Sequence, residues 1–177
     1  MNTQALIQFC APYYAGKDIM HNLWHIELTQ RWIEKVIALG NYSPDREALE
    51  YALYFHGFIY SDEAAIRAWL AGQKLSPDRI EQIVKIAWES QRPEIPETLE
   101  GKILHDAHVL EGGKTYLVTK TLITGSVRGQ NLKDTLNYLK THVIDHNHCY
   151  LPETRPLLNE MNTFAKDFAD TLEKDIQ

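Results

Sequence analysis

Apolar positions recur at helical spacing along most of the chain. Between residues 20 and 39 one face carries His21, His25, Leu28, Trp32 and Val36, spaced i, i+4, i+7, i+11 and i+15. The run Ser43-Pro44-Asp45 reads as a helix start, with Ser43 as N-cap and the proline in the first turn. The inner face of that helix is Leu49, Ala52, Leu53 and His56, and Gly57 weakens its end. A short helix is predicted over 62–72 around Ala65, Ile66 and Trp69. The run Ser76-Pro77-Asp78-Arg79 repeats the earlier start signal ahead of a stripe of Ile80, Ile83, Val84 and Ala87. Two prolines make 92–96 a loop. The helical pattern resumes over 99–110 around Asp106 and breaks at Gly112-Gly113. Residues 115–123 are β-branched enough to suit helix or strand, and 125–129 read as a turn. Leu132, Leu136, Leu139 and Val143 mark another helix, and Leu157, Met161, Phe164, Phe168 and Leu172 the last. No alternating run of strand length stands out, and no low-complexity linker divides the chain. The pattern predicts one all-α domain, a helical bundle over residues 1–177.

Composition narrows the classes. At 177 residues, with 44% hydrophobic and 24% charged positions, the chain has ordinary globular make-up, which excludes disordered, collagen-like and coiled-coil classes. Its 18 Lys and Arg against 24 Asp and Glu give a net charge of −6, which argues against a nucleic-acid polymer or a membrane surface as partner. No apolar stretch approaches the roughly 18 residues that span a bilayer, and residues 1–10 lack a basic segment followed by an apolar run. Cys10 and Cys149 form no CxxC pair and read as reduced thiols. A cytoplasmic location is the expectation.

Histidine is the unusual component. Eight are present, with His21 near His25, His105 near His108, and His142, His146 and His148 grouped near the C-terminus. His25, His56 and Asp106 each occupy a position where the periodicity of its own helix calls for an apolar residue. Burying two imidazoles and a carboxylate is unfavourable by several kcal/mol unless they pair or bind a cation. Sharing one divalent ion would compensate all three and leave positions open for water or phosphate.

The runs around these residues resemble the HD-domain metal-dependent phosphohydrolases. His21-Asn22-Leu23-Trp24-His25 is similar to the first metal motif of that family. Ala52-Leu53-Tyr54-Phe55-His56-Gly57 is similar to the apolar run ending in His-Asp that names it. Residues 99–111, LEGKILHDAHVLE, resemble the third motif, which in one bacterial branch reads roughly tLEgkivqDADrLda. The likeness extends through Thr119-Lys120-Thr121-Leu122 to the closing segment 151–168. It implies an HD-type helical bundle and a divalent metal (Mn, Ni, Co, Fe, Zn or Mg) held by His25, His56 and Asp106. It also implies that His21 and Lys120 hold the phosphate of a nucleotide or other small phosphate ester. The ion would polarise the ester and lower the pKa of a water nucleophile.

The departures fall on the chemistry. Gly57 replaces the aspartate of the second motif, and the DAD segment has become Asp106-Ala107-His108. Glu63 and His108 are the nearby groups that could substitute. Two residues beyond Asp106, however, His108 would point away from it on a helix. The alternative reading is therefore a catalytically decayed scaffold that binds a ligand or partner without turnover. Lys114 and Arg128 are further candidate phosphate donors. The sequence leaves the oligomeric state open.

Overall fold

A computed structural model describes residues 2–176 of the chain. Among these residues the regular structure is helical throughout: α1 (Thr3–Ala15), α2 (Leu23–Gly40), α3 (Arg46–Phe55), α4 (Ile59–Gly72), α5 (Pro77–Glu89), α6 (Leu99–Leu110), α7 (Gly113–Val127), α8 (Leu132–Tyr138) and α9 (Arg155–Asp175). A π-helical turn over Leu139–Val143 continues α8. No helix is long and apolar enough to cross a membrane.

Local chemistry sets most of the boundaries. The side chains of Asn22, Ser76, Thr98 and Asn131 accept hydrogen bonds from the first-turn amides of α2, α5, α6 and α8. Pro77 opens α5 as its start signal predicts. The equivalent signal at Ser43 is used differently. Asp45 caps α3 by accepting from the Ala48 amide, so that helix begins two residues later than the sequence suggests. Asp45 also pairs with Arg79, which holds its carboxyl down at about 2. That pair ties the start of α3 to the first turn of α5 and makes Asp45 the more effective cap.

Residues 115–123, ambiguous in sequence, lie inside α7, and the predicted turn at 125–129 begins only after Val127. Gly125, inside α7, lets α8 approach closely, since a Cβ there would run into Thr135. The β-branched content of α7 is tolerated because Leu117, Val118 and Leu122 pack against Leu136, Leu139 and Phe168. The sequence reading did not anticipate α1. Its Leu6, Cys10 and Tyr14, one turn apart, are fully buried.

The main core joins α1 through α6 around Phe55, Ile66, Ile83 and Leu104, and a second cluster joins α7, α8 and α9. Functional side chains gather where α2, α3 and α6 meet, beside α7. Both cysteines are buried and free, and burial pushes each thiol up to about 12.

Candidate metal centre

Three helix ends deliver three imidazoles to one place. His25 lies in the first turn of α2, His56 caps the end of α3, and His108 lies in the last turn of α6. One nitrogen of each comes within 4.8 Å of the other two. His25 and His56 are buried, while His108 is half-buried at the edge of a cavity. The ring centroids of His56 stand 4.9 Å from both partners, and those of His25 and His108 are 5.3 Å apart.

The hydrogen positions follow from the neighbours. His56 Nδ1 faces the Leu53 carbonyl at 2.5 Å. A carbonyl only accepts, so the proton of the neutral ring sits on Nδ1 and Nε2 presents a lone pair. His25 Nε2 lies 2.8 Å from that lone pair. On its other side, His25 Nδ1 lies 2.5 Å from Glu111 Oε2, another acceptor. This is an ion-pair approach rather than an aligned hydrogen bond, since Nδ1 has no hydrogen-bond partner. His25 therefore has an acceptor at each nitrogen and, when neutral, a single proton.

A second proton is disfavoured. Burial, reinforced by the charges of Lys120, His21 and Lys17, holds His25 well below its ordinary value. Burial likewise brings His56 down to about 3 and lowers His108 strongly.

A shared cation removes this deficit. The Nε2 atoms of His25 and His56 would hold such an ion, each ring keeping its proton on Nδ1 beside an oxygen, the usual way a ligating imidazole is held. Ligand bonds of about 2.0–2.1 Å would set the two nitrogens about 3 Å apart or slightly more. The observed pair needs to open only a few tenths of an ångström. The donor set fits a divalent ion.

Glu111 is a functional residue that the sequence reading did not single out. It is buried, accepts from Thr29 Oγ1 at 2.9 Å and pairs with Lys120. Its helical offset of three from His108 is the sequence signal that could have found it. Lys120 thus sits at the site, paired with a carboxylate. His21 precedes α2, with Nδ1 held 2.9 and 3.0 Å from the two Asp18 oxygens, and its ring lies 6.3 Å from that of His25.

A cavity of about 220 Å³ opens beside the imidazoles. Among its lining residues are His21, Arg92, His108, Glu111, Lys120 and Arg128. Cationic groups outnumber the one carboxylate, which suits an anion. Arg92 is fixed at its rim by donating to the His142 carbonyl at 2.7 Å. Thr124 Oγ1, in the same wall, is buried without a hydrogen-bond partner.

Three expectations need correction. Asp106 does not join His25 and His56. It is completely buried on the opposite side of α6, where its carboxylate accepts from the Tyr150 and Leu151 amides and from Thr154 Oγ1. Residues two apart on a helix differ by about 200° in direction. The expectation that Asp106 and His108 point apart holds, but His108 is the one aimed at the histidines. Glu63 is also elsewhere, bonded to Arg67 and to Trp88 Nε1. Lys114 pairs with Glu160 on the surface.

Gly57 has no room for a side chain. A Cβ there would start 2.5 Å from Tyr14 Oη, heading into the tyrosine ring. Tyr14 Oη accepts from the Gly57 amide at 3.2 Å and donates to the Tyr54 carbonyl at 2.9 Å. Gly57→Asp alone should therefore destabilise the protein by about 1–3 kcal/mol, as overpacking does, rather than complete a ligand set. Thermal unfolding checks this. Adding Tyr14→Ala should recover part of the loss if the ring is the obstacle, and no recovery would show that it is not.

Comparison with known proteins gives the fold. No protein-family model matches the chain, and no curated protein matches it. Two solved structures do. The YpgQ protein of Bacillus subtilis, solved in complex with ADP, superposes with a TM-score of 0.72 at 17% identity, covering 97% of each chain. The Lin1889 protein of Listeria innocua superposes with a TM-score of 0.71 at 20% identity, covering 99% of this chain and 98% of its own. The likeness spans the whole chain and makes this all-helical architecture a recurrent one.

Proposed function

We propose that this protein is a metal-dependent phosphohydrolase of the HD type, acting on a nucleotide or other small phosphate ester. The observation that carries the reading is His25, with one proton between two acceptors, His56 Nε2 at 2.8 Å and Glu111 Oε2 at 2.5 Å, beside a third imidazole. Without a cation one of those two contacts lacks a proton. The ADP bound to the structurally similar Bacillus subtilis protein favours a nucleotide over other esters.

His25, His56 and His108 would hold the ion, in place of the His25, His56 and Asp106 set implied by resemblance. A divalent ion there supplies Lewis-acid polarisation of the phosphoryl group and activation of a water nucleophile. The remaining work belongs to the chain. Glu111 stands behind His25, with Oε2 2.5 Å from Nδ1, where it would favour a proton on that nitrogen. Lys120 and His21 face the cavity and are placed to take phosphate oxygens, with Arg92 and Arg128 farther along its wall. The apolar side of the cavity, Tyr116, Leu117 and Val143, gives a base or other flat group a place to lie.

The second reading, a scaffold that binds without turnover, is favoured by one observation. Tyr14 fills the space from which a carboxylate at position 57 would project, and no replacement carboxylate faces the imidazoles without a cationic partner. Nucleotide and aryl-phosphate turnover, measured on protein loaded with zinc, cobalt or manganese, separates the two. Turnover lost by more than about 100-fold in His56→Ala supports the enzyme. Saturable ADP binding with no turnover under any metal supports the binding module.

A further inference from the structure

The donor set itself discriminates among metals. None of the three side chains converging on the centre offers oxygen. The carboxylate oxygens that could reach the centre are absent or engaged. Residue 57 is glycine, Asp106 holds the turn before α9, and Glu111 stands behind His25, bonded to Thr29 and Lys120. Lys120 in particular opposes any swing of Glu111 into the centre, because the swing would strand a half-buried ammonium beside a cation.

Magnesium and manganese favour carboxylate, carbonyl and water oxygens, whereas imidazole suits zinc, nickel, copper and iron. Three neutral imidazoles with one position open to a cavity also match the coordination in which zinc is commonly catalytic. We infer that the centre takes a nitrogen-preferring late first-row ion of the zinc, cobalt and nickel class and rejects magnesium and manganese. The inference rests on the metal-centre reading above but not on the presence of hydrolytic activity.

Metal affinities of the chelator-stripped full-length chain, measured at neutral pH by competition with a chromophoric chelator, test it. Expected are one tight zinc per chain, zinc favoured over manganese by at least about 100-fold, and no magnesium at millimolar concentration. A smaller ratio overturns the inference. His56→Ala must abolish the tight zinc; if zinc stays, the exposed His142, His146 and His148 are holding it and the assignment fails. His108→Glu puts a carboxylate of similar reach at the third position and should narrow the zinc-to-manganese ratio at least about tenfold. An unchanged ratio in the folded variant counts against the inference, and if that variant does not fold, the wild-type ratio decides alone. Selective zinc binding without phosphate-ester turnover leaves the inference standing and removes the phosphohydrolase reading. Turnover supported by magnesium or manganese alone does the reverse.

Discussion

Asp106→Ala should cost at least about 2 kcal/mol of stability, a large fraction of the margin of a small domain. The carboxylate is fully buried. Oδ1 accepts from the Tyr150 amide at 2.9 Å, and Oδ2 from the Leu151 amide at 2.9 Å and Thr154 Oγ1 at 2.6 Å. Alanine leaves two backbone amides without an acceptor, while Thr154 Oγ1 keeps the Leu151 carbonyl at 2.7 Å, and each buried orphan costs about 1–3 kcal/mol. The turn they belong to starts α9, so the α7–α9 cluster should loosen with it. Asp106→Asn, which keeps one acceptor oxygen, should fall between. Chemical denaturation measures the loss. Metal binding gives the contrast: Asp106→Asn, where folded, should keep zinc within a few-fold, whereas His108→Ala should lose it. Loss of zinc in folded Asp106→Asn would return Asp106 to the ligand set in place of His108.

Acid should unfold the metal-free protein early and steeply. Buried His56 titrates near 3, against an ordinary value of 6.5, and His25 and His108 are displaced in the same direction. Between those limits the unfolded chain binds more protons than the folded one. Stability is then complete above pH 6.5 and drains away as pH falls toward the folded value. One such histidine contributes a slope of about 1.4 kcal/mol per pH unit, and three would approach about 4. Of the charged groups around them, Glu111 opposes the displacement of His56 and His108, while Lys120, His21 and Lys17 reinforce that of His25. Thermal unfolding of the stripped protein should show a marked drop in Tm between pH 7.5 and 5.5. His56→Gln should flatten the profile, and bound zinc should move the drop to lower pH. A flat profile across that range would show that the imidazoles are not desolvated as described.

The helical class and most of the core stripes were readable because they depend on spacing alone. Ile80, Ile83, Val84 and Ala87 are buried as their period requires, and so are Leu49, Ala52 and Leu53. The helix α1 is harder to read because Pro12 interrupts the pattern, although Leu6, Cys10 and Tyr14 carry the i, i+4, i+8 spacing. The boundary at α3 moved because a distant partner, Arg79, selects Asp45 over Ser43. At the site, His25 and His56 were legible as polar residues on apolar faces. The third member was not, because α6 is buried on several sides and periodicity does not say which buried face meets the histidines. Likeness to a motif pointed to Asp106, and packing selected His108. Glu111 went unread because a lone acid at a helix end looks like ordinary surface charge until its neighbours are known.

The contact between Tyr14 and Gly57 links two positions 43 apart in sequence. Neither is free to drift alone: a side chain at 57 requires the ring at 14 to shrink, and shrinking the ring first leaves a hole in the core. An acid at 57 is therefore accessible only through paired substitution. Among related sequences, a bulky aromatic at the position of Tyr14 should travel with glycine at 57, and a small residue there with aspartate.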